Sequence, residues 1–389
     1  LVRSAAKNYK DVTLITSVEQ YPKLIEELKK NKGSTSINFR VEMSQLAFTE
    51  IAYYDSLIAN YFNKISNNIN LSISENKNTI YNAITSDIIF GSSYEDYFYV
   101  TISNLEEINE SINIDAGITT PTGIGSFDIA LLSAGGVIEA IDHVIDEKVN
   151  NAYALVRPPG HHAMPNKAMG FCIFGNAAIA GKHALKNKDL HKIAFIDWDV
   201  HHGNGTQAAF YNDSKALTIS IHQDRNFPTN SGLVSENGEE KGAGYNINIP
   251  LPPGSGVGAY EAAFDRVVVP AIEKYKPELI IVPSGFDGGA GDPIGRQMMT
   301  GEGFKSLTQK LMKIADQVCN GKILMTHEGG YSAATVPFFA HSVIETLAKE
   351  NMGIIDPFQR IIGNLGQQEL QPHQDSLIKE VEKLLKNIK

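Results

Sequence analysis

Short apolar runs alternate with longer amphipathic stretches through the later two thirds of the chain. Ala152–Val156, Ile193–Asp197, Leu217–Ile221, Leu279–Val282 and Ile323–Thr326 are each four or five residues long and mainly apolar. Runs of that length suit strands of a parallel sheet covered on both faces. Between and beside them, Ser126–Asp146, Gly175–Leu185, Gly258–Lys274, Gly303–Cys319 and Ala334–Lys349 carry apolar residues near helical spacing. In the first of these the spaced positions are Ile129, Leu132, Val137, Ile138, Ile141 and Ile145. Asp375–Asn387 reads as a further amphipathic helix, with Leu377, Ile378, Val381, Leu384 and Leu385 on one side. Alternating strand and helix predict an α/β fold around a parallel sheet. Residues 1–120 are different in character, rich in Asn, Ser, Ile and Tyr; a strand is expected at Val12–Ile15, a helix at Tyr21–Lys30, and a loop over Asn63–Asn82.

Composition narrows the class. The 389 residues are 42% hydrophobic and 20% charged, which is not a disordered composition. A net charge of −10 excludes a generally basic surface for phosphate backbones, so no direct nucleic-acid partner is expected. Two cysteines, Cys172 and Cys319, exclude a disulfide scaffold and a cysteine-built zinc cluster. No run approaches the ~18 apolar residues of a membrane span, and residues 1–30 lack the apolar core of a signal peptide. No membrane partner is expected. The expected location is the cytoplasm of the producing cell, with export to another compartment or host left open.

Ligands of open parallel sheets bind at the carboxyl ends of the strands, so the residues after each apolar run carry the argument. The five runs are followed by Arg157-Pro158-Pro159-Gly160-His161-His162, by Asp199-Val200-His201-His202-Gly203-Asn204, by His222-Gln223-Asp224, by Pro283-Ser284-Gly285-Phe286-Asp287 and by Glu328-Gly329-Gly330-Tyr331. All five deliver polar, titratable or glycine-rich residues to one edge. Asp199 and His201 flank Val200, so in extended backbone they point the same way. With Asp287 from another strand end they form an Asp/His/Asp set that leaves positions open on a divalent metal, as catalytic sites do. Nitrogen and oxygen ligands suit zinc, with iron(II), cobalt or manganese as alternatives. His161-His162 follows a turn forced by proline and glycine, and an imidazole is the natural general base there. His143, His183, His191, His341 and His373 read as structural, His327 as close to the site, and His202 and His222 as holders of nearby loops. Gly254–Gly258 lacks a phosphate-loop lysine and reads as a turn into a helix.

Taken in order, Arg157-Pro-Pro-Gly-His-His-Ala, Gly170-Phe-Cys-Ile-Phe-Gly-Asn, Asp197-Trp-Asp-Val-His-His-Gly-Asn-Gly-Thr-Gln, Gly285-Phe-Asp and Glu328-Gly-Gly-Tyr resemble the zinc-dependent histone deacetylase family. The likeness is to class II enzymes and bacterial histone deacetylase-like amidohydrolases, and runs from about Gly117 to about Lys349. It implies the arginase/deacetylase fold: one α/β domain over 1–389 around an eight-stranded parallel β-sheet flanked by helices. On that reading 1–116 is a divergent N-terminal part, 117–349 the core with the motifs, and 350–389 a C-terminal helical segment.

The resemblance implies a role for each matching residue. Asp199, His201 and Asp287 are the expected zinc ligands. His162 is the expected general base and acid, His161 its electrostatic companion oriented by Asp197, and Asn204 the residue behind His162. Tyr331 is the expected phenol facing the substrate carbonyl. Gly170, Phe171, Phe227 and Ile294 are expected along the acyl-lysine tunnel, with Gly329 and Gly330 at its base and Asp115 as the rim carboxylate. Structural potassium is also implied. One site would use backbone oxygens of Asp197, Asp199, His201 and Ile221 with the Ser220 hydroxyl, and a second those of Phe210, Asp213, Ala216 and Tyr245. Gly288-Gly289 departs from the usual residues after the last ligand and predicts a looser loop.

The implied activity is hydrolysis of the acetyl amide of acetyl-lysine in a protein or peptide partner such as a histone tail. Oligomeric state is left open. The alternative is an acetylpolyamine or other small-amide amidohydrolase. Such an enzyme is expected to carry a carboxylate at position 294, where this chain has isoleucine. A dinuclear ureohydrolase needs a further aspartate at position 203, which is glycine. A non-catalytic acyl-lysine reader is expected to have lost one of His161, His162, Tyr331 or the metal set.

Overall fold

The computed structural model describes residues 9–16, 20–47, 114–123 and 125–389. They fall into two compact units, within Leu1–Ser72 and within Ile73–Lys389. In the first, Tyr21–Lys30 is helical as its pattern predicts, with proline in the first turn, where no intrahelical donor is lost. Helical backbone also covers 37–47. Arg40 ties this unit together, donating to the Thr35 carbonyl at 2.7 Å and the Tyr9 carbonyl at 2.9 Å. The expected strand at Val12–Ile15 does not form; among the described residues of this unit no second strand is present to pair with it. The loop expected over Asn63–Asn82 lies outside the described residues.

The second unit is built on six strands, β1 Asn151–Ala154, β2 Ile193–Asp197, β3 Ala216–Gln223, β4 Asn246–Leu251, β5 Leu279–Ser284 and β6 Ile323–His327. Their order across the sheet is β1-β6-β5-β2-β3-β4, and every pairing is parallel. Eight strands were expected, and six make up the main sheet among the described residues. Successive strand residues feed opposite cores. Ala194, Ile196, Ile280, Val282, Ile323 and Met325 join one cluster, while Ile193, Phe195, Leu279, Ile281 and Leu324 join the other. Burial on both faces is why these runs are continuously apolar rather than alternating.

Helices cover both faces: α1 Ser126–Ile145, α2 Asn176–Asn187, α3 Asn204–Phe210, α4 Gly301–Val318, α5 Val336–Ala348 and α6 Pro372–Glu382. The helix expected over Gly258–Lys274 is interrupted. Val257–Ala263 and Val269–Tyr275 are joined by a π-helical turn, Phe264–Val268. Pro270, just beyond, cannot donate to the ladder, and the wider turn accommodates that loss. Arg266 in this turn holds α6, with bonds of 2.8 and 2.7 Å to Glu382 and 2.6 Å to Asp375. Among the described residues no helix is long and apolar enough to cross a membrane.

β4 had no counterpart in the sequence reading. Its alternate residues are Asn246 and Asn248, poor strand formers. Both are buried, and their amides donate to the Gln207 side chain at 2.9 Å each and to the carbonyls of Glu236 (2.7 Å) and Leu233 (3.3 Å). Pro250 is tolerated because β4 is an edge of this sheet.

The larger core centres on aromatic rings. Phe304 lies 5.2 Å from Phe286 and 5.6 Å from Phe339, and all three are buried. Phe304→Ala should cost about 3–5 kcal/mol in denaturant unfolding, the range for deleting a buried phenyl ring. An unchanged midpoint would show that this ring does not hold the core.

Candidate active site

The last residue of β2 is Asp197, and the chain then curls through Trp198 to His201. Asp199 Oδ1 accepts from the His201 N–H at 2.8 Å, and Oδ2 from the Gly329 N–H at 2.8 Å. Asp287, just past β5, accepts from the Val200 N–H at 2.9 Å through Oδ1. These backbone donors fix the carboxylates so that Asp199, His201 and Asp287 each offer one ligand atom, all within 4.8 Å of one another and all buried. His201 Nδ1 stands 3.1 Å from Asp199 Oδ1 and 3.1 Å from Asp287 Oδ2. Asp287 Oδ2 accepts no hydrogen bond.

Charge follows from this crowding. Burial and the neighbouring Asp199 raise Asp287 above the usual carboxylate range. On His201 burial opposes charge, but Asp287 and Asp199 outweigh it and raise the imidazole to about 10. Two buried carboxylates, one with an unpartnered oxygen, and one imidazole nitrogen are the donor set of a divalent metal. Gly329 leaves the cradle open, since a Cβ there would lie 2.0 Å from Asp287 Oδ2 and 2.7 Å from Asp199 Oδ2. Gly329→Ala should therefore lower zinc retention on dialysis against a weak chelator. Retention equal to the parent protein's would dismiss the cradle.

The turn after β1 carries the histidine pair. It is fixed through the Pro158 carbonyl, which accepts from Ser133 Oγ at 2.8 Å and Asn176 Nδ2 at 3.0 Å. Glu328, just past β6, accepts from the N–H groups of Gly160 (2.7 Å) and His161 (3.0 Å). The two imidazoles stand 4.0 Å apart. His161 Nδ1 meets Asp197 Oδ2 at 3.0 Å, and His162 Nδ1 meets Asn204 Oδ1 at 2.7 Å, so both expected partners are in place.

Acceptors around Asn204 decide the His162 tautomer. The Asn204 amide nitrogen faces the His162 carbonyl at 3.3 Å and the thioether sulfurs of Met164 at 3.0 Å and Met169 at 3.6 Å. None of these can donate, so the NH2 belongs on that side and the oxygen faces His162. His162 Nδ1 then carries the proton, and Nε2 is left as the base. Burial together with the charges on His161 and His201 holds His162 well below the usual imidazole range. Burial opposes charge on His161 too, but Asp199 and Asp197 raise it well above that range. Two adjacent imidazoles are thus pushed apart in proton affinity, the pattern of a divided acid/base role.

Beside them opens a cavity of about 290 Å³ lined by His162, His201, Gly170, Phe171, Phe227, Ile294 and Tyr331, with Thr119 and Asn226. Phe227 stands edge-on to His162, with centroids 4.9 Å apart and planes at 84°. Gly170 has φ +55°, and a Cβ there would lie 2.4 Å from the His162 ring. Phe171 and Tyr331 face each other at 6.1 Å. Burial raises the Tyr331 phenol above its usual value, so its proton stays on through neutral pH. Gly330 follows Gly329 beyond the carboxyl end of β5, where Phe286 N–H donates to the Gly329 carbonyl at 2.9 Å. Asp115 lies on a two-residue strand paired with Pro121–Thr122, and its side chain is outside the described residues.

The residues expected around potassium lie on β2, on β3 and in the segments beside them. Asp197 is the register partner of Ser220, whose hydroxyl accepts from Gly203 N–H at 3.3 Å, and Ile221 follows on β3. Phe210 closes α3, and its carbonyl accepts from Asp213 N–H at 3.0 Å. Ala216 opens β3, and the Tyr245 carbonyl accepts from Thr218 N–H at 2.9 Å.

Several residues at the site were not anticipated. Asp292 accepts from Tyr331 N–H at 2.8 Å and from Ile294 and Gly295 N–H at 2.9 Å each, tying the phenol's backbone to the cavity mouth. Asp292-Pro293 is a turn signal that could have marked it. Thr119 arrives because Gly117–Ile118 pairs with Ala168–Met169, a contact with no local signature. The loop at Gly288-Gly289 is not loose, contrary to expectation. It is buried, and a Cβ at Gly289 would lie 2.2 Å from the Phe339 ring. His202 and His222 hold loops as expected, through Ser231 (2.8 Å) and the Gly232 carbonyl (3.0 Å). His327 sits 3.3 Å from the Tyr153 hydroxyl.

Comparison with known proteins agrees with this geometry. Residues 18–347 match the histone deacetylase domain. A histone deacetylase-like amidohydrolase of Pseudomonas aeruginosa is 45% identical over 246 residues, 63% of this chain and 65% of that protein. Histone deacetylase 8 of Arabidopsis thaliana is 38% identical over 271 residues, covering 69% of this chain and 71% of that protein. A probable deacetylase of Archaeoglobus fulgidus is 38% identical over 273 residues, 68% of this chain and 75% of that protein. The chain thus spans about two thirds of the bacterial relative's length. A crystal structure of the HDA15 HD domain superposes with a TM-score of 0.65 at 28% identity, covering 80% of this chain and 88% of that one. With the domain match running over most of its length, this chain belongs to the histone deacetylase family.

Proposed function

We propose that the protein is a zinc-dependent lysine deacetylase, cleaving the acetyl amide of acetyl-lysine in a protein partner such as a histone tail. The observation that carries this reading is the meeting of Asp199, His201 and Asp287 with His162 and Tyr331 around one cavity. Asp199, His201 and Asp287 would hold zinc, which would supply Lewis acidity toward the amide carbonyl and lower the pKa of water there toward about 7. His162 Nε2 takes a proton from the attacking water and later returns it to the leaving lysine nitrogen. The Asn204 oxygen keeps His162 in the tautomer that can do both. His161, held by Asp197 at 3.0 Å, is its electrostatic companion. The Tyr331 hydroxyl donates to the carbonyl oxygen as negative charge develops there. Phe171 and Phe227 grip the lysine methylenes and exclude water, and Asp115 anchors the substrate backbone at the rim. Structural potassium would take the backbone oxygens of Asp197, Asp199, His201 and Ile221 with the Ser220 hydroxyl, and at a second site those of Phe210, Asp213, Ala216 and Tyr245.

The test is mass-spectrometric deacetylation of an acetyl-lysine histone-tail peptide by zinc-loaded protein, with acetylspermidine in parallel. Turnover of the peptide supports the reading. Turnover of acetylspermidine alone replaces it with small-amide hydrolysis, against which apolar Ile294 at the cavity mouth already speaks. Turnover of neither removes it.

A further inference from the structure

We infer that Glu328 is a positioning residue for the histidine pair: its Oε2 clamps the backbone N–H groups of Gly160 and His161 and so sets where both imidazoles stand. This rests on the proposed roles of His161 and His162.

Three observations converge on it. The first is topological. β6 lies directly beside β1, with Thr326 in register with Ala154. The loop leaving β6 is therefore the neighbour of the loop leaving β1, and Glu328 is placed to reach across. The second is the hydrogen bonding. One oxygen receives both donors, at 2.7 and 3.0 Å, and Glu328 is 4% exposed. Without it two N–H groups in the turn lose their acceptor, at a place water reaches poorly. The third is the carbonyl of the same residue. The His161 carbonyl accepts from the N–H groups of Gly205 and Thr206, at 2.9 and 3.3 Å, in the first turn of α3. His161 is thus held through its N–H by Glu328 and through its C=O by α3, whose first residue is Asn204, the partner of His162.

Glu328 touches neither expected substrate nor the ligand set. Its second oxygen, Oε1, has no partner, so a single acceptor atom performs the clamp and a negative charge is not required for it. Burial raises the carboxyl to about 7, which fits an acceptor that works in its neutral form. A displacement of about 1 Å at reacting groups costs on the order of 10²-fold in rate, so the clamp should be visible in turnover rather than in binding.

The experiment compares Glu328→Ala and Glu328→Gln as zinc-loaded full chains. It measures kcat and KM on an acetyl-lysine peptide, zinc content, and hydrogen exchange of the Gly160 and His161 amides. Glu328→Ala should lose about 10- to 100-fold in kcat, with KM and zinc content unchanged and faster exchange at both amides. Glu328→Gln keeps an acceptor oxygen and should restore kcat to within a few-fold and exchange to the parent rate. Parental kcat or exchange in Glu328→Ala overturns the clamp, as does zinc loss in step with activity, or a glutamine variant as impaired as the alanine one. If Glu328→Ala does not fold, the glutamine variant still decides: fast exchange at Gly160 and His161 overturns the proposal. The exchange readout stands without turnover, so failure of the deacetylase reading and failure of the clamp are separable.

Discussion

Asp287→Ala is expected to purify without zinc and without turnover, the two losses occurring together. Asp287 supplies one of three donor atoms, and its two oxygens have separate tasks. Oδ1 is held by Val200 N–H at 2.9 Å, which orients the group, while Oδ2 is free of hydrogen bonds and 3.1 Å from His201 Nδ1. Removing the side chain leaves one carboxylate and one imidazole, too few for a metal that catalytic sites hold with three protein ligands. It also removes the charge that contributes to raising His201. Zinc content by mass spectrometry and peptide deacetylation on the same sample check this. Full zinc occupancy in the alanine variant would falsify the ligand assignment. Asp287→Asn separates charge from volume, and should retain the fold while binding zinc far more weakly.

Tyr331→Phe should keep its zinc and its substrate affinity yet lose roughly 10²–10³-fold in kcat, the cost of one donor to a developing oxyanion. The phenol lines the cavity beside His162 and His201 and faces Phe171. Its backbone is fixed by Asp292, so the substitution deletes one oxygen and little else. Because the raised phenol keeps its proton past neutrality, its hydrogen bond should persist across the working pH range and contribute no alkaline decline of its own. Steady-state kinetics on peptide with measured zinc content is the check. A variant turning over at the parental rate removes Tyr331 from the chemistry.

What could be read from the chain, and what could not, divides along physical lines. β2, β5 and β6 were legible because burial on both faces leaves a continuous apolar run. The candidate ligands Asp199, His201 and Asp287 were legible because each follows such a run. β4 was not, since its buried asparagines satisfy themselves through Gln207, Glu236 and Leu233, residues that only the folded chain brings near. The π-helical turn at Phe264–Val268 leaves the apolar period nearly intact and so is silent in the pattern. Glu328 stood inside a recognised motif, yet its bond to the Gly160 turn appears only once β6 lies beside β1. Gly289 looked like slack, and proves to be the gap that Phe339 fills.

The order of strands has a consequence for synthesis on the ribosome. β6, the last strand made, inserts between β5 and β1, the first. Until residues 323–326 emerge, β1 has no neighbour in the main sheet, and the turn bearing His161 and His162 has no Glu328 to meet. Asp199, His201 and Asp287 are by then already made. A nascent chain can thus present its three candidate metal donors before the turn bearing the histidine pair is set, and on the proposed function hydrolysis must wait for the final strand. Pairings this distant in sequence also slow folding, because long loops must close before the contacts reward them.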